Sequence, residues 1–251
     1  GLAADLRALR DRFGKGESGD DFVLGREDFA HELQLPHQLY GREVERQELV
    51  DELSRTMQSG HPRLVLLVAP AGIGKSAMIA ELEGEAARYG SYVAHGRFEA
   101  WGPHTPNSAD RPYLALIDAL TGLVEQLLTE SESRLARWRA RLGAALGGVA
   151  SVMVEQIPKL ALVLGELDDP VTLEPNEARN RMQLAFARFV SVFCEDQASL
   201  VLALTDLQWA DASSLALLEQ LTSAERRSLF VLASTRDAEL PRELASLPAA
   251  R

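Results

Sequence analysis

The chain has 251 residues, 46% of them hydrophobic, enough for one large α/β domain or a domain plus a subdomain around a substantial core. With 26 basic and 37 acidic residues its net charge is −11, which argues against a nucleic-acid-binding surface. The single cysteine, Cys194, allows no internal disulfide and fits a reducing cytoplasm, and neither a membrane-length apolar run nor a signal-peptide pattern is present.

Residues 1–36 are polar and mixed. Leu2, Leu6, Leu9 and Phe13 have helical spacing, a Gly-rich linker follows, and a docked arm or an unstructured linker is open for the rest. The chain opens on Gly1 and stops at Arg251, so it is expected to be a piece of a larger protein. The domain proper is expected over 37–251. Tyr40-Gly41-Arg42-Glu43 leads into a helix whose apolar face is Val44, Leu49, Val50 and Leu53.

The stretch that follows carries the chemistry. Leu64–Val68 is an apolar strand, Ala69-Pro-Ala-Gly72-Ile-Gly74 is a turn, and Lys75-Ser76 opens an amphipathic helix. This is the strand–loop–helix layout of a phosphate-binding P-loop. A triphosphate needs inward-facing N–H donors unobstructed by side chains, and Gly72 and Gly74 allow the backbone angles for that. The helix start adds free N–H groups and the positive end of a dipole. Lys75 is expected to reach the β- and γ-phosphates of the triphosphate, and the Ser76 hydroxyl to sit on Mg²⁺. Ala69 stands where the pattern usually has Gly.

The helix runs from Lys75 to about Tyr89, and Ser91–Glu99 is the second strand. Residues 101–112 form a loop. An inserted helical segment is expected over about 110–195, with Asp110 and Pro112 as its start signal. Its apolar stripes are packing surfaces, and the basic run Arg134–Arg141 reads as the solvated face of a helix. Cys194 falls in an apolar helical pattern and reads as core.

Leu200–Leu204 is again a continuous apolar run, as expected of a buried parallel strand, and it ends in Thr205-Asp206. Open α/β sheets place active groups at strand carboxyl ends. This is the Walker B position, whose acids hold metal-bound water and orient the attacking water. A helix follows over Ser213–Leu221. Leu229–Ala233 repeats the theme and ends near Arg236, either a γ-phosphate contact or a salt-bridge residue.

Taken together, Leu39-Tyr-Gly-Arg-Glu43, Gly72-Ile-Gly-Lys-Ser76, Asp206-Leu-Gln-Trp-Ala-Asp211 and Thr235-Arg-Asp237 resemble the ATPase module of the STAND/AAA-like P-loop NTPases, and in particular the predicted-ATPase domain of large bacterial signalling proteins that also carry serine/threonine- and histidine-kinase domains. The resemblance implies a three-layer αβα sandwich with a mainly parallel sheet, and a fifth strand and a lid beyond Arg251. It implies that residues 1–36 follow a kinase domain. Tyr40, Gly41 and Arg42 would lie near the adenine. Ala71, Gly72, Ile73, Gly74, Lys75, Ser76 and Ala77 would surround the phosphates. Asp206 would orient water, Arg236 would act as sensor, and Ser76, Thr205 and Asp206 would face the metal. The family usually has Asp-Asp where this chain has Thr205-Asp206, so hydrolysis should suffer more than binding. The implied function is a cytoplasmic ATP·Mg²⁺ switch acting on neighbouring kinase and helical domains, with self-association open and neither nucleic acid nor membrane as partner. A pseudo-ATPase scaffold is the alternative. An independent metabolic kinase is disfavoured, because the sequence has no acceptor-substrate motif.

Overall fold

The computed structural model describes residues 41–100, 112–165, 175–195, 198–223, 227–236 and 249–250. Residues 1–36, Tyr40, Asp110, Asp237 and all but Pro112 of the loop expected over 101–112 lie outside them.

Helix α1 (Glu43–Ser59) leads into β1 (Arg63–Val68), α2 (Lys75–Arg88) and β2 (Tyr92–Arg97). The insertion follows as α3 (Leu114–Leu128), α4 (Glu132–Leu146), α5 (Ala150–Gln156), α6 (Leu160–Leu164) and α7 (Pro175–Val192). The chain then returns to the sheet with β3 (Leu200–Thr205), α8 (Ala212–Thr222), β4 (Leu229–Thr235) and the two-residue β5 (Ala249–Ala250). The strand order is β2-β3-β4-β1-β5, and every pairing is parallel. The fifth strand, expected beyond Arg251, thus starts at Ala249 and pairs with Leu64 and Val65.

Alternate residues of the strands supply two cores. Leu64, Leu202, Leu204 and Val231 point to one, with α3, α8 and the insertion. Val65, Val201, Phe230 and Leu232 point to the other, with Leu49 and Leu53 of α1 and Met78 and Leu82 of α2. Both faces are covered, which explains why β3 and β4 read as continuous apolar runs. The result is the expected three-layer α/β sandwich, with the helical segment inserted between β2 and β3.

Two local expectations need correction. Helix α3 starts at Leu114 rather than in the turn at Pro112, and Tyr113 ahead of it has a left-handed backbone with φ 69°. Its amide is taken by a distant group, Asp211 Oδ2, at 3.3 Å. The short helix α6 had no sequence signal of its own. The basic run on α4 is not simply a solvated face. Arg139 donates to the Val163 carbonyl at 2.5 Å and Arg141 to the Val192 carbonyl at 2.7 Å, while Arg188 of α7 reaches the Leu146 carbonyl at 3.3 Å. These guanidinium groups satisfy carbonyls in the last turns of helices, which have no partner within their own helix. Arg141 also lies 4.8 Å from the Trp138 ring centre, and Trp138 stacks on Phe193 at 4.9 Å. Cys194 packs partly buried against this core, and burial pushes its thiol up to about 12, so little thiolate forms at neutral pH.

Asp211 ties the start of α8 to the start of the insertion. It caps α8 by accepting from the Ser214 amide at 2.8 Å and the Ser214 hydroxyl at 2.6 Å, besides Tyr113. Asp211→Ala removes the cap and leaves the Tyr113 amide short of its acceptor. The expected cost is about 1–2 kcal/mol, read as a lower urea midpoint with an unchanged denaturant slope.

Candidate functional site

Strand register decides what meets at the carboxyl edge of the sheet. Val68 of β1 pairs with Thr235 of β4, Leu204 of β3 with Ala233, and Arg97 of β2 with Thr205. The residues that leave these four strands therefore emerge side by side. They are the loop after β1, Asp206 after β3, Arg236 after β4 and Arg97 itself.

The loop after β1 has Gly72 at φ 82° and Gly74 at φ 97°, both left-handed. An L-residue with a Cβ resists these angles, so the turn needs glycine at both positions. Gly74 is the N-cap of α2, and Lys75 is the first helical residue. The Lys75 ammonium folds over the loop and donates to the carbonyls of Ala69 and Pro70, the latter at 2.8 Å. Ala71, Ile73 and Ser76 are exposed, and Ala77 is half-buried. The Ala69 amide donates to the Thr235 carbonyl at 3.3 Å, which ties the loop to β4.

A cavity of about 480 Å³ opens beside the loop. Arg42, Glu45 and Leu49 of the α1 side line it, together with Val68, Ile73 and Lys75. The size is that of a small-molecule site. Arg42, distant from the loop in sequence, is brought to the same cavity at the start of α1, with Gly41 preceding it in the chain. Gly41 donates its amide to Glu43 at 3.1 Å, and Arg42 pairs with Glu45 at 2.7 Å. The Glu45 carboxyl is held below its ordinary value, first by its own backbone N–H and then by Arg42. Glu43 is lowered likewise by its own amide and that of Gly41.

Asp206 lies on the other flank of the loop, with a left-handed backbone at φ 58°. Its carboxylate accepts from Arg97 Nε at 3.1 Å and from Gln208 Nε2 at 3.2 Å. The Gln208 carbonyl in turn accepts from the Thr235 hydroxyl at 3.1 Å. Thr205 is half-buried at the end of β3. Arg236 stands exposed one residue past β4. The sheet thus gathers Lys75, Ser76, Thr205, Asp206 and Arg236 at one edge, while Gly41 and Arg42 approach from α1. Tyr40 lies outside the described residues. Sequence reasoning did not single out Arg97. Its signal is a cation ending a strand, which gains meaning only once β2 is known to pair with β3.

The donor chemistry suits a hard cation and a polyphosphate. Ser76 and Thr205 offer hydroxyl oxygens and Asp206 a carboxylate, whereas Mg²⁺ takes one or two protein oxygens and completes its shell with water and phosphate. Among the described residues no group of three or more His, Cys, Asp or Glu could hold a metal ion. Nor, among those residues, is any helix long and apolar enough to cross a membrane.

A segment of the chain is 32% identical over 201 residues to the hybrid signal transduction histidine kinase G of Dictyostelium discoideum. That alignment covers 80% of this chain but only 6% of the kinase. The family model for the AAA ATPase domain matches residues 38–232, from just ahead of α1 to within β4. That span contains the glycine-rich loop, Thr205 and Asp206, and by its extent the chain belongs to the AAA ATPase domain family.

Proposed function

We propose that the chain is an ATP·Mg²⁺-dependent regulatory switch within a larger signalling protein, and that it hydrolyses ATP slowly. The observation that carries this reading is the shared sheet edge. A left-handed glycine loop with Lys75 stands between a nucleotide-sized cavity and the carboxylate of Asp206. Bound Mg·ATP would supply the phosphoanhydride and the charge-neutralising cation. Lys75 and the loop amides would bind its phosphates, with Gly41 and Arg42 beside the base. Asp206 would orient a water molecule, and Arg236 would meet the terminal phosphate. Nucleotide state can bias the packing of neighbouring domains only through a difference in affinity between two conformations. The name of the Dictyostelium discoideum relative supports kinase domains as those neighbours, and the lone cysteine supports a cytoplasmic setting.

Thr205 sets the rate. Its hydroxyl can accept a hydrogen bond from a metal-bound water but brings no charge. Charge-assisted bonds contribute about 1.5–3 kcal/mol, so supplying the missing carboxylate should matter by one to two orders of magnitude. Thr205→Asp is expected to raise ATP turnover by roughly 10–100-fold with little change in ATP affinity. A variant no faster than the parent would contradict the impaired-site account. That outcome would favour the second reading, suggested by the same Thr205, of a scaffold that binds partners through its helices and does not hydrolyse ATP.

A further inference from the structure

We propose that Gln208 is the positioning residue through which the tip of β4 is coupled to the Asp206 carboxylate, so that the occupancy of the glycine-rich loop is passed across the sheet. The proposal rests on the nucleotide-binding reading above and adds a route to it.

The geometry is directional. A side-chain amide has a donor end and an acceptor end, and here each meets its complement. Gln208 Nε2 donates to Asp206 Oδ1 at 3.2 Å, and Gln208 Oε1 accepts from Thr235 Oγ1 at 3.1 Å. Thr235 is 1% exposed, so its hydroxyl needs a protein partner. The left-handed backbone of Asp206 starts a single 3₁₀ turn over Leu207–Trp209, closed by the Trp209 amide on the Asp206 carbonyl at 3.0 Å. That turn keeps residue 208 close to the carboxylate two positions before it. On the far side, Thr235 gives its carbonyl to the Ala69 amide at the mouth of the loop. The connection therefore runs from the loop through Thr235 and Gln208 to Asp206, whose other oxygen is held by Arg97 at 3.1 Å. Such a chain fixes the carboxylate in one rotamer and moves with the loop. Arg97 alone could not do this, because it is largely exposed at the outer strand.

Trp209 follows Gln208 and is half-buried, so its emission reports on the turn. The test uses the full chain with saturating Mg·ADP and with the Mg²⁺ complex of a slowly hydrolysed ATP analogue. The parent is expected to give different emission with the two nucleotides, and Trp209→Phe should lose that difference. Gln208→Leu and Thr235→Val, the latter nearly isosteric, should bind both nucleotides within about twofold of the parent yet give the same emission with each. Thr235→Ser should restore the difference. The double variant should do no more than either single one, as for residues in one chain of hydrogen bonds. The proposal is overturned if the variants keep the parent's difference, or if they lose nucleotide affinity in parallel as a merely structural role predicts. A parent that binds both nucleotides with identical emission would overturn the coupling and leave the binding reading intact. A parent that binds neither would remove both.

Discussion

Lys75→Ala is expected to weaken ATP binding by roughly 10–100-fold and to leave the fold intact. The ammonium is the one side-chain cation of the glycine-rich loop over residues 69–76, at the first residue of α2. A charge-assisted contact to phosphate contributes about 1.5–3 kcal/mol, and each 1.4 kcal/mol is a factor of ten in affinity. The same side chain contributes little to stability. Its partners in the loop are the Ala69 and Pro70 carbonyls, and Pro70 is exposed to water that can replace it. Calorimetric titration and a thermal melt separate the two effects. A variant with parental affinity would show that the loop does not engage phosphate, whereas a large loss of melting temperature would show that Lys75 serves the fold.

Gly96→Ala is expected to cost about 2–4 kcal/mol of stability, among the largest effects of a single added methyl in this chain. A Cβ at this position would lie 2.2 Å from the Ala115 carbonyl oxygen and 2.9 Å from its carbon. Both are backbone atoms in the first turn of α3, so no side-chain rotation relieves the clash. Either α3 must lift from β2 or the strand must bow, and both neighbours are fixed. Leu116, Leu120 and Leu123 of α3 are buried in the core, and β2 is paired along its length with β3. Urea unfolding measures the loss. A change below about 0.5 kcal/mol would mean that the helix does not sit this close to the strand. Because α3 opens the insertion, the variant also tests how firmly that segment is seated on the sheet.

The sequence carried those features that depend on local pattern. Continuous apolar runs at Leu64–Val68, Leu200–Leu204 and Leu229–Ala233 marked buried parallel strands, because both faces of this sheet are covered. Gly72, Gly74 and Lys75 were recognisable because the turn they form tolerates few substitutes. Features that depend on adjacency were not readable. Arg97 and Asp206 are 109 positions apart and meet only because β2 pairs with β3. Gln208 was visible as part of a motif, but its partner Thr235 belongs to the next strand. The arginines of α4 looked like a solvated face since helical spacing reveals direction and not the open carbonyls nearby. The start of α3 was misplaced for a similar reason. Its turn is anchored through the Tyr113 amide by Asp211, far along the chain. Gly96 carried no local signal, because its constraint is imposed by a helix crossing above it.

The proposed switch requires that this chain bind nucleotide. Titration calorimetry with ATP and with ADP, each in the presence and absence of Mg²⁺, measures it directly. The predicted result is saturable binding of one nucleotide per chain, with only a weak gain from Mg²⁺ because Thr205 supplies no charge beside Asp206. Failure to bind either nucleotide under all four conditions would contradict the switch. A large gain from Mg²⁺ would contradict the impaired metal site.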